Sequence, residues 1–131
     1  MPLPDADTAP YWEAAARGEL ALQRCDGCDA WRFPPRPGCP RCGSLASRWE
    51  RASGRGTVWS FVVVHGPVLP AFAERVPFAV VLVELDEDPR LRVVGNLPGV
   101  APARVRIGMR VEACFETVAD GVALPQWRSA E

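Results

Sequence analysis

From Arg48 onward the apolar runs read as strands alternating with turns, and a helical spacing shows only near the start of the chain. Tyr11, Trp12 and Ala15 recur three or four apart within the helix-forming run 9–17, which predicts a short helix with one apolar stripe. Thr8 is placed to cap it, Pro10 lies in its first turn and Gly18 ends it. Leu20 to Arg24 reads as a short strand. From Arg48 onward the pattern predicts strands over 48–52, 57–65, 78–85, 91–97, 110–118 and 122–128. Turn signals separate them: Ser53-Gly54, Gly66-Pro67, Asp86 to Pro89, Leu97-Pro98-Gly99 and Asp120-Gly121. Five or six strands in some 80 residues predict a small all-β barrel or sandwich.

Two of these strands are apolar on both faces. In Phe78 to Leu85, and in Val58 to Val64, residues of both parities are hydrophobic. The outer face of a small antiparallel barrel is ordinarily polar. An apolar outer face needs cover, in part from the helix and the cysteine-bearing segment and for the rest from a partner protein. The alternative is that the chain buries everything itself. The connection 66–77 is long, Pro-rich and carries Leu69 and Phe72; loops of this length in compact domains tend to be functional.

Four of the five cysteines sit in Cys25-Asp26-Gly27-Cys28 and Cys39-Pro40-Arg41-Cys42, with ten residues between the pairs. Two residues between cysteines let a tight turn present both sulfurs to one ion, so two such knuckles supply a tetrahedral set. The alternative is a pair of disulfides. A four-sulfur site is closed to water and substrate, so its role is structural; four thiolates suit zinc, and suit iron as well. The remaining cysteine, Cys114, lies mid-strand between Glu112 and Glu116, where carboxylates disfavour the thiolate.

Composition narrows the chemistry. All 15 basic residues are arginine, there is one histidine, His65, and the net charge is -1. Without lysine there is no Schiff base and no P-loop lysine, and with one histidine bases that titrate near neutrality are scarce. The carboxylates Glu84, Asp86, Glu87 and Asp88 read as a solvated turn. This balance points away from an autonomous enzyme. The start of the chain lacks the features of a signal peptide, and no run reaches the roughly 18 apolar residues of a membrane span. The expected location is the cytoplasm, where thiols stay reduced.

The stretch Tyr11-Trp12, Gly18-Glu19-Leu20, Gln23-Arg24-Cys25, Cys28, Phe33-Pro34-Pro35-Arg36 and Cys39-Pro40-Arg41-Cys42 resembles the family called domain of unknown function 35. Further matches are Ser53 to Val58, Pro77-Phe78 and Ile107 to Val111, so the resemblance covers residues 11–128; Asp29 stands where that family usually has glycine. The resemblance implies a mainly β chain: a helical segment (1–19), a rubredoxin-like zinc ribbon (20–47) and a C-terminal OB-fold barrel (48–131). It implies one structural zinc on Cys25, Cys28, Cys39 and Cys42. It also implies a non-catalytic partner of a thiolase-superfamily enzyme acting on acyl-CoA thioesters: a thiolase, an acyltransferase or a retro-aldolase of steroid side-chain breakdown. A two-plus-two assembly, a MaoC-like hydratase as further partner and a CoA thioester at the interface follow from the same resemblance. His65, Phe72, Arg75 and Arg55 are the candidate contacts to CoA or partner. A nucleic-acid-binding module is the other reading, since ribbons and OB-folds are frequent there and Trp59 and Phe61 offer stacking rings. The slightly negative charge and scattered arginines argue against it.

Overall fold

The computed structural model describes all 131 residues. A single α-helix, α1 (Ala9–Ala16), precedes eight strands: β1 (Ala21–Cys25), β2 (Trp31–Arg32), β3 (Ser47–Arg51), β4 (Arg55–Val64), β5 (Phe78–Leu85), β6 (Arg92–Asn96), β7 (Arg110–Ala119) and β8 (Val122–Ser129), with short 3-10 turns at Pro70–Phe72 and Pro102–Arg104. Tyr11, Ala14 and Ala15 form the buried stripe of α1, which packs on β8, β1 and β7. Thr8 occupies the cap position without capping. Its hydroxyl accepts from the Asp5 N–H and donates to Asp5 Oδ1, both at 3.0 Å, because the competing local turn takes its hydrogen bonds.

The strands form two antiparallel sheets, β2-β1-β3 and β6-β5-β4-β7-β8. The stretch predicted as the first strand after residue 47 pairs with β1, from Ala21 opposite Arg51 to Cys25 opposite Ser47. It is the third strand of the small sheet. The second sheet has the strand order of an OB-fold, with its first and last edges, β6 and β8, brought side by side. Its ladder is not closed into a barrel by backbone pairing. Side chains bridge the seam instead: Gln126 Oε1 accepts from the Asn96 N–H at 2.6 Å, and the Trp127 ring lies directly over Gly95.

Burial alternates strictly along β5, with Ala79, Val81, Val83 and Leu85 inward. These residues join Val58, Val93, Val111 and Trp127 in one core that also takes in Leu20, Leu22 and Ala52 from the ribbon side. A bulge between Val58 and Ser60 rotates β4. Beyond it, Val62 and Val64 share the outer face with their β5 partners Val80 and Phe78. α1 and the ribbon pack elsewhere, so Val62 at 59%, Val94 at 57% and Trp59 at 44% stay exposed.

Candidate metal centre and partner-facing surface

The two cysteine knuckles are built alike. In the first, the Gly27 N–H donates to Cys25 Sγ at 3.3 Å and the Asp29 N–H to the Cys25 carbonyl at 2.9 Å. In the second, the Arg41 N–H donates to Cys39 Sγ at 3.4 Å and the Gly43 N–H to the Cys39 carbonyl at 3.0 Å. Each turn closes on a residue in the left-handed region: Gly43 at φ 78° and Asp29 at φ 61°. Glycine adopts that conformation freely, and aspartate tolerates it better than most residues.

The aspartate is clamped. Arg48 Nη2 donates to Asp29 Oδ1 at 2.7 Å and Arg24 Nε to the Asp29 carbonyl at 2.8 Å. Arg48 also reaches Asp26 Oδ1 at 2.9 Å and Glu50 Oε1 at 3.0 Å, and Glu50 in turn holds Arg24. The hydrogen bond from Arg48, with its charge, holds the Asp29 carboxyl below the usual carboxylate range. Strand β3, which carries Arg48 and Glu50, is thus what fixes the first knuckle.

The four Sγ atoms lie within 4.8 Å of one another. Cys25 and Cys42 are 3.5 Å apart, and Cys28 and Cys39 are 3.7 Å apart. A tetrahedron of sulfurs about 2.3 Å from a central ion has edges of about 3.8 Å, so the cage has the dimensions of a metal site. No disulfide joins any of the cysteines. The N–H groups of Cys42 and Arg41 push the Cys39 thiol down to about 6, and the N–H of Cys28 leads the lowering of Cys25. Against the N–H of Ser44, hydrogen bonding to the neighbouring sulfurs, Cys25 first, pushes Cys42 up to about 11. One cation shared by all four would relieve that crowding of charge. A side chain at Gly27 would stand 3.3 Å from Cys42 Sγ and 3.1 Å from Ser44 Cβ, so the turn passes tightly over the sulfurs.

The four candidate contact residues do not converge. Phe72 and Arg75 line one cavity of about 350 Å³ with Asn96, Glu116 and Gln126 at the β6–β8 seam, and the Arg75 guanidinium sits 5.9 Å from the Phe72 ring centre. His65 is exposed just past the end of β4, while Arg55 opens the same strand at its other end. Sequence reasoning passed over the seam residues Asn96 and Gln126, whose only signal is a polar position within an apolar strand pattern.

Trp59 and Phe61 offer no common stacking platform. Arg92 covers Trp59 at 3.7 Å, and Phe61 packs on the core. Three of the four carboxylates read as a solvated turn lie at the surface but are engaged. Asp86 holds Arg110 through two bonds of 2.7 Å, Glu87 accepts from the Ser53 N–H at 2.6 Å, and Asp88 holds Arg90. Cys114 is half-buried, and burial, with smaller contributions from Glu112 and Glu116, raises its thiol pKa. No helix is long and apolar enough to cross a membrane.

A four-sulfur cage on paired knuckles, followed by a five-stranded sheet in OB order, defines the class: a rubredoxin-like ribbon joined to an OB-fold. Residues 12–47 match the family description "ChsH2, rubredoxin-like zinc ribbon domain" and residues 49–116 match "ChsH2, C-terminal OB-fold domain". The chain belongs to this ChsH2 family.

The chain is 42% identical over 98% of its length to a "Probable enoyl-CoA hydratase alpha subunit" of Thermomonospora curvata, covering 39% of that protein. It is 41% identical over 96% of its length to the "3-oxo-4,17-pregnadiene-20-carboxyl-CoA hydratase alpha subunit" of Mycobacterium tuberculosis, covering 37% of it. Against a "DUF35 domain-containing scaffold protein" of Methanocaldococcus jannaschii it is 36% identical over 72% of its length and 66% of the relative's. The chain therefore spans under two-fifths of the hydratase subunits it matches. A solved structure titled "Ltp2-ChsH2(DUF35) aldolase" superposes with a TM-score of 0.90 at 40% identity, covering both chains fully.

Proposed function

We propose that this chain is a non-catalytic subunit of an acyl-CoA-processing complex whose active site lies on a thiolase-superfamily enzyme, of the kind that cleaves or forms a carbon–carbon bond. The observation that carries the reading is the apolar outer face of β4, β5 and β6, where Val62 and Val94 stay open to solvent and Trp59 is covered only by Arg92. Contiguous exposed apolar surface of this kind marks protein interfaces. Supporting it are the aldolase title of the fully superposed structure and the scaffold name of an archaeal relative. The names of the hydratase relatives point to CoA thioesters, with a steroid-derived acyl group in one case. In this reading the complex is cytoplasmic and two-plus-two, and a MaoC-like hydratase is its further partner. Phe72 and Arg75 face the CoA thioester, with Arg55 and His65 at the interface margins.

The ion is zinc, held by Cys25, Cys28, Cys39 and Cys42, and its role is to fold the ribbon. The sulfur spacing suits zinc and the site is closed, with no position for a substrate. We assign 1–19 to the helical segment, 20–47 to the ribbon and 48–131 to the OB-fold, whose leading strand β3 is lent to the ribbon sheet by pairing with β1.

The test is co-expression with the thiolase-like protein from the same host, followed by size-exclusion chromatography and a thioester assay. The complex should form and turn over substrate, whereas the isolated chain should turn over none. Val62→Asp together with Val94→Asp should abolish co-elution while leaving the circular dichroism spectrum unchanged. Steady thioester turnover by the chain alone would refute the assignment.

A further inference from the structure

A second groove, of about 260 Å³, lies between the ribbon and the turn joining β5 to β6. Its wall carries four guanidinium groups, Arg32, Arg36, Arg41 and Arg90, and no carboxylate; its one acidic lining group is the Cys39 thiol, which belongs to the cysteine cage. Outside the groove seven of eleven arginines pair with carboxylates, among them Arg24 and Arg48 with Glu50, Arg110 with Asp86 and Arg128 with Glu112. Of the four in the groove only Arg90 does, through Asp88.

Arg32 is the unusual member, because it is only 5% exposed. Its Nε donates to Gln23 Oε1 at 2.8 Å and its Nη2 to the Arg36 carbonyl at 3.0 Å, both neutral acceptors, and its Nη1 has no acceptor at all. A buried cation with neither counter-charge nor a full set of acceptors is costly to maintain. The surroundings nevertheless hold it rigidly. Gln23 is itself buried, and its Oε1 also accepts from the Arg36 N–H at 2.8 Å, which fixes the loop that presents Arg36. Arg41 comes from the second cysteine knuckle and Arg90 from the β5–β6 turn. Three guanidinium groups around a buried fourth that no carboxylate neutralises make a preorganised oxyanion site.

We infer that this groove binds a phosphate-bearing ligand, with Arg36 and Arg41 as direct contacts and Arg32 supplying the buried charge. Two sources share that chemistry, free orthophosphate and the phosphomonoester of a nucleotide. Trp31 and Phe33 also line the groove, but Arg24 already lies over Trp31 at 4.8 Å and Phe33 packs on Tyr11, so the oxyanion rather than a base is what the groove is built to hold. The inference concerns the chain by itself and stands apart from the thiolase partnership.

The experiment is a titration of the metal-loaded, ¹⁵N-labelled full chain with sodium phosphate, and separately with adenosine 5′-monophosphate, at constant ionic strength. Saturable shifts should cluster in residues 31–41 and 88–91. Arg36→Gln and Arg41→Gln change exposed side chains and should each weaken binding about tenfold; Arg104→Gln, exposed and outside the groove, should leave it unchanged. Tighter binding of the nucleotide than of phosphate names the nucleotide as source, and equal binding names the free oxyanion. Shifts scattered over the surface arginines, or an Arg104→Gln variant that weakens binding as much as Arg36→Gln, would overturn the inference. So would Arg36 and Arg41 variants that speed metal release while phosphate titrations of the parent stay flat, since the arginines would then serve the Cys39 thiolate.

Discussion

Gly95→Ala probes how the open sheet is held shut. A Cβ at this position would stand 2.8 Å from Cδ1 and 3.0 Å from Nε1 of Trp127. Carbon atoms in contact prefer about 3.5 Å or more, so the ring or the strand must yield by about 0.7 Å. Trp127 is fully buried, and its neighbour Gln126 is tied to Asn96 across the seam, so neither side gives easily. Overpacking of a core costs about 1–3 kcal/mol. Replacing glycine at an unstrained position returns about 0.4–1 kcal/mol through the unfolded chain. The net expectation is a loss of about 1–2 kcal/mol, read as a lowered urea midpoint at constant slope in far-ultraviolet circular dichroism.

The close approach itself is tested by a cycle with Trp127→Phe. The smaller ring removes the indole N–H, which has no acceptor in the fold, and makes room for the new methyl group. The double variant should therefore be more stable than the sum of the single changes implies, by at least about 0.5 kcal/mol. Gly99→Ala, where a Cβ meets nothing within 4 Å, is the control and should gain about 0.4–1 kcal/mol from the unfolded-chain effect alone. Additive single changes, or a Gly95→Ala variant as stable as the control, would refute the reasoning.

Three further outcomes follow from the site. Arg48→Met should weaken metal retention about 10- to 100-fold in a chelator-competition assay, because Asp29 loses the bond that holds the first knuckle's turn; Arg51→Met, whose one ion pair is a long 3.9 Å contact to Glu19, should not. A thiol reagent at pH 7 should find one slow thiol, Cys114, in the metal-loaded chain and all five after chelation and unfolding; two fewer in the unfolded, unreduced chain would reveal a disulfide. Asp86 is held below the usual carboxylate range by its hydrogen bonds to Arg110, so its contribution is present above the unfolded value near pH 4 and is lost as pH falls through the folded one. The acid limb of an unfolding curve should accordingly be shallower in Asp86→Asn.

Local chemistry was legible in the sequence. Paired cysteines two residues apart announce a knuckle because the turn is local, and β5 announces itself as an apolar run bounded by turn signals, although its two faces are told apart only by the fold. What depends on distant segments was not. Nothing near residue 48 tells that Arg48 grips Asp26 and Asp29 some twenty residues earlier, and so the aspartate at the glycine position looked like a small departure. Strand β2 is only two residues long and exists because β1 offers it a ladder. The acidic turn reads as solvated until the fold brings Arg110 and Ser53 to it. Arg32, Arg36, Arg41 and Arg90 are scattered in sequence and converge only when the ribbon meets the β5–β6 turn.

Ribbon and OB-fold are two sheets with one core, and this decides what the metal does. Leu20, Leu22 and Ala52, on or beside strands of the ribbon sheet, belong to the same buried cluster as Val81, Val111 and Trp127. The chain crosses between sheets within a few residues: the Ala52 N–H bonds to the Leu20 carbonyl, the Ser53 N–H to Glu87, and the Gly54 carbonyl accepts from Ala113. Gly54 makes this turn at φ 77°, with Ala113 packed against it. A knuckle held by the metal fixes Cys25 and Arg24 at the end of β1, and β1 fixes β3 along five residue pairs. β3 leads directly into β4, the central strand of the larger sheet and the one that presents Val62. The cysteine cage therefore stands at one end of a continuous line of paired backbone whose other end is the apolar face that a partner would bury. A metal there, with no open position for a substrate, would still have a task in this arrangement: by holding β1 it would fix how that face is offered.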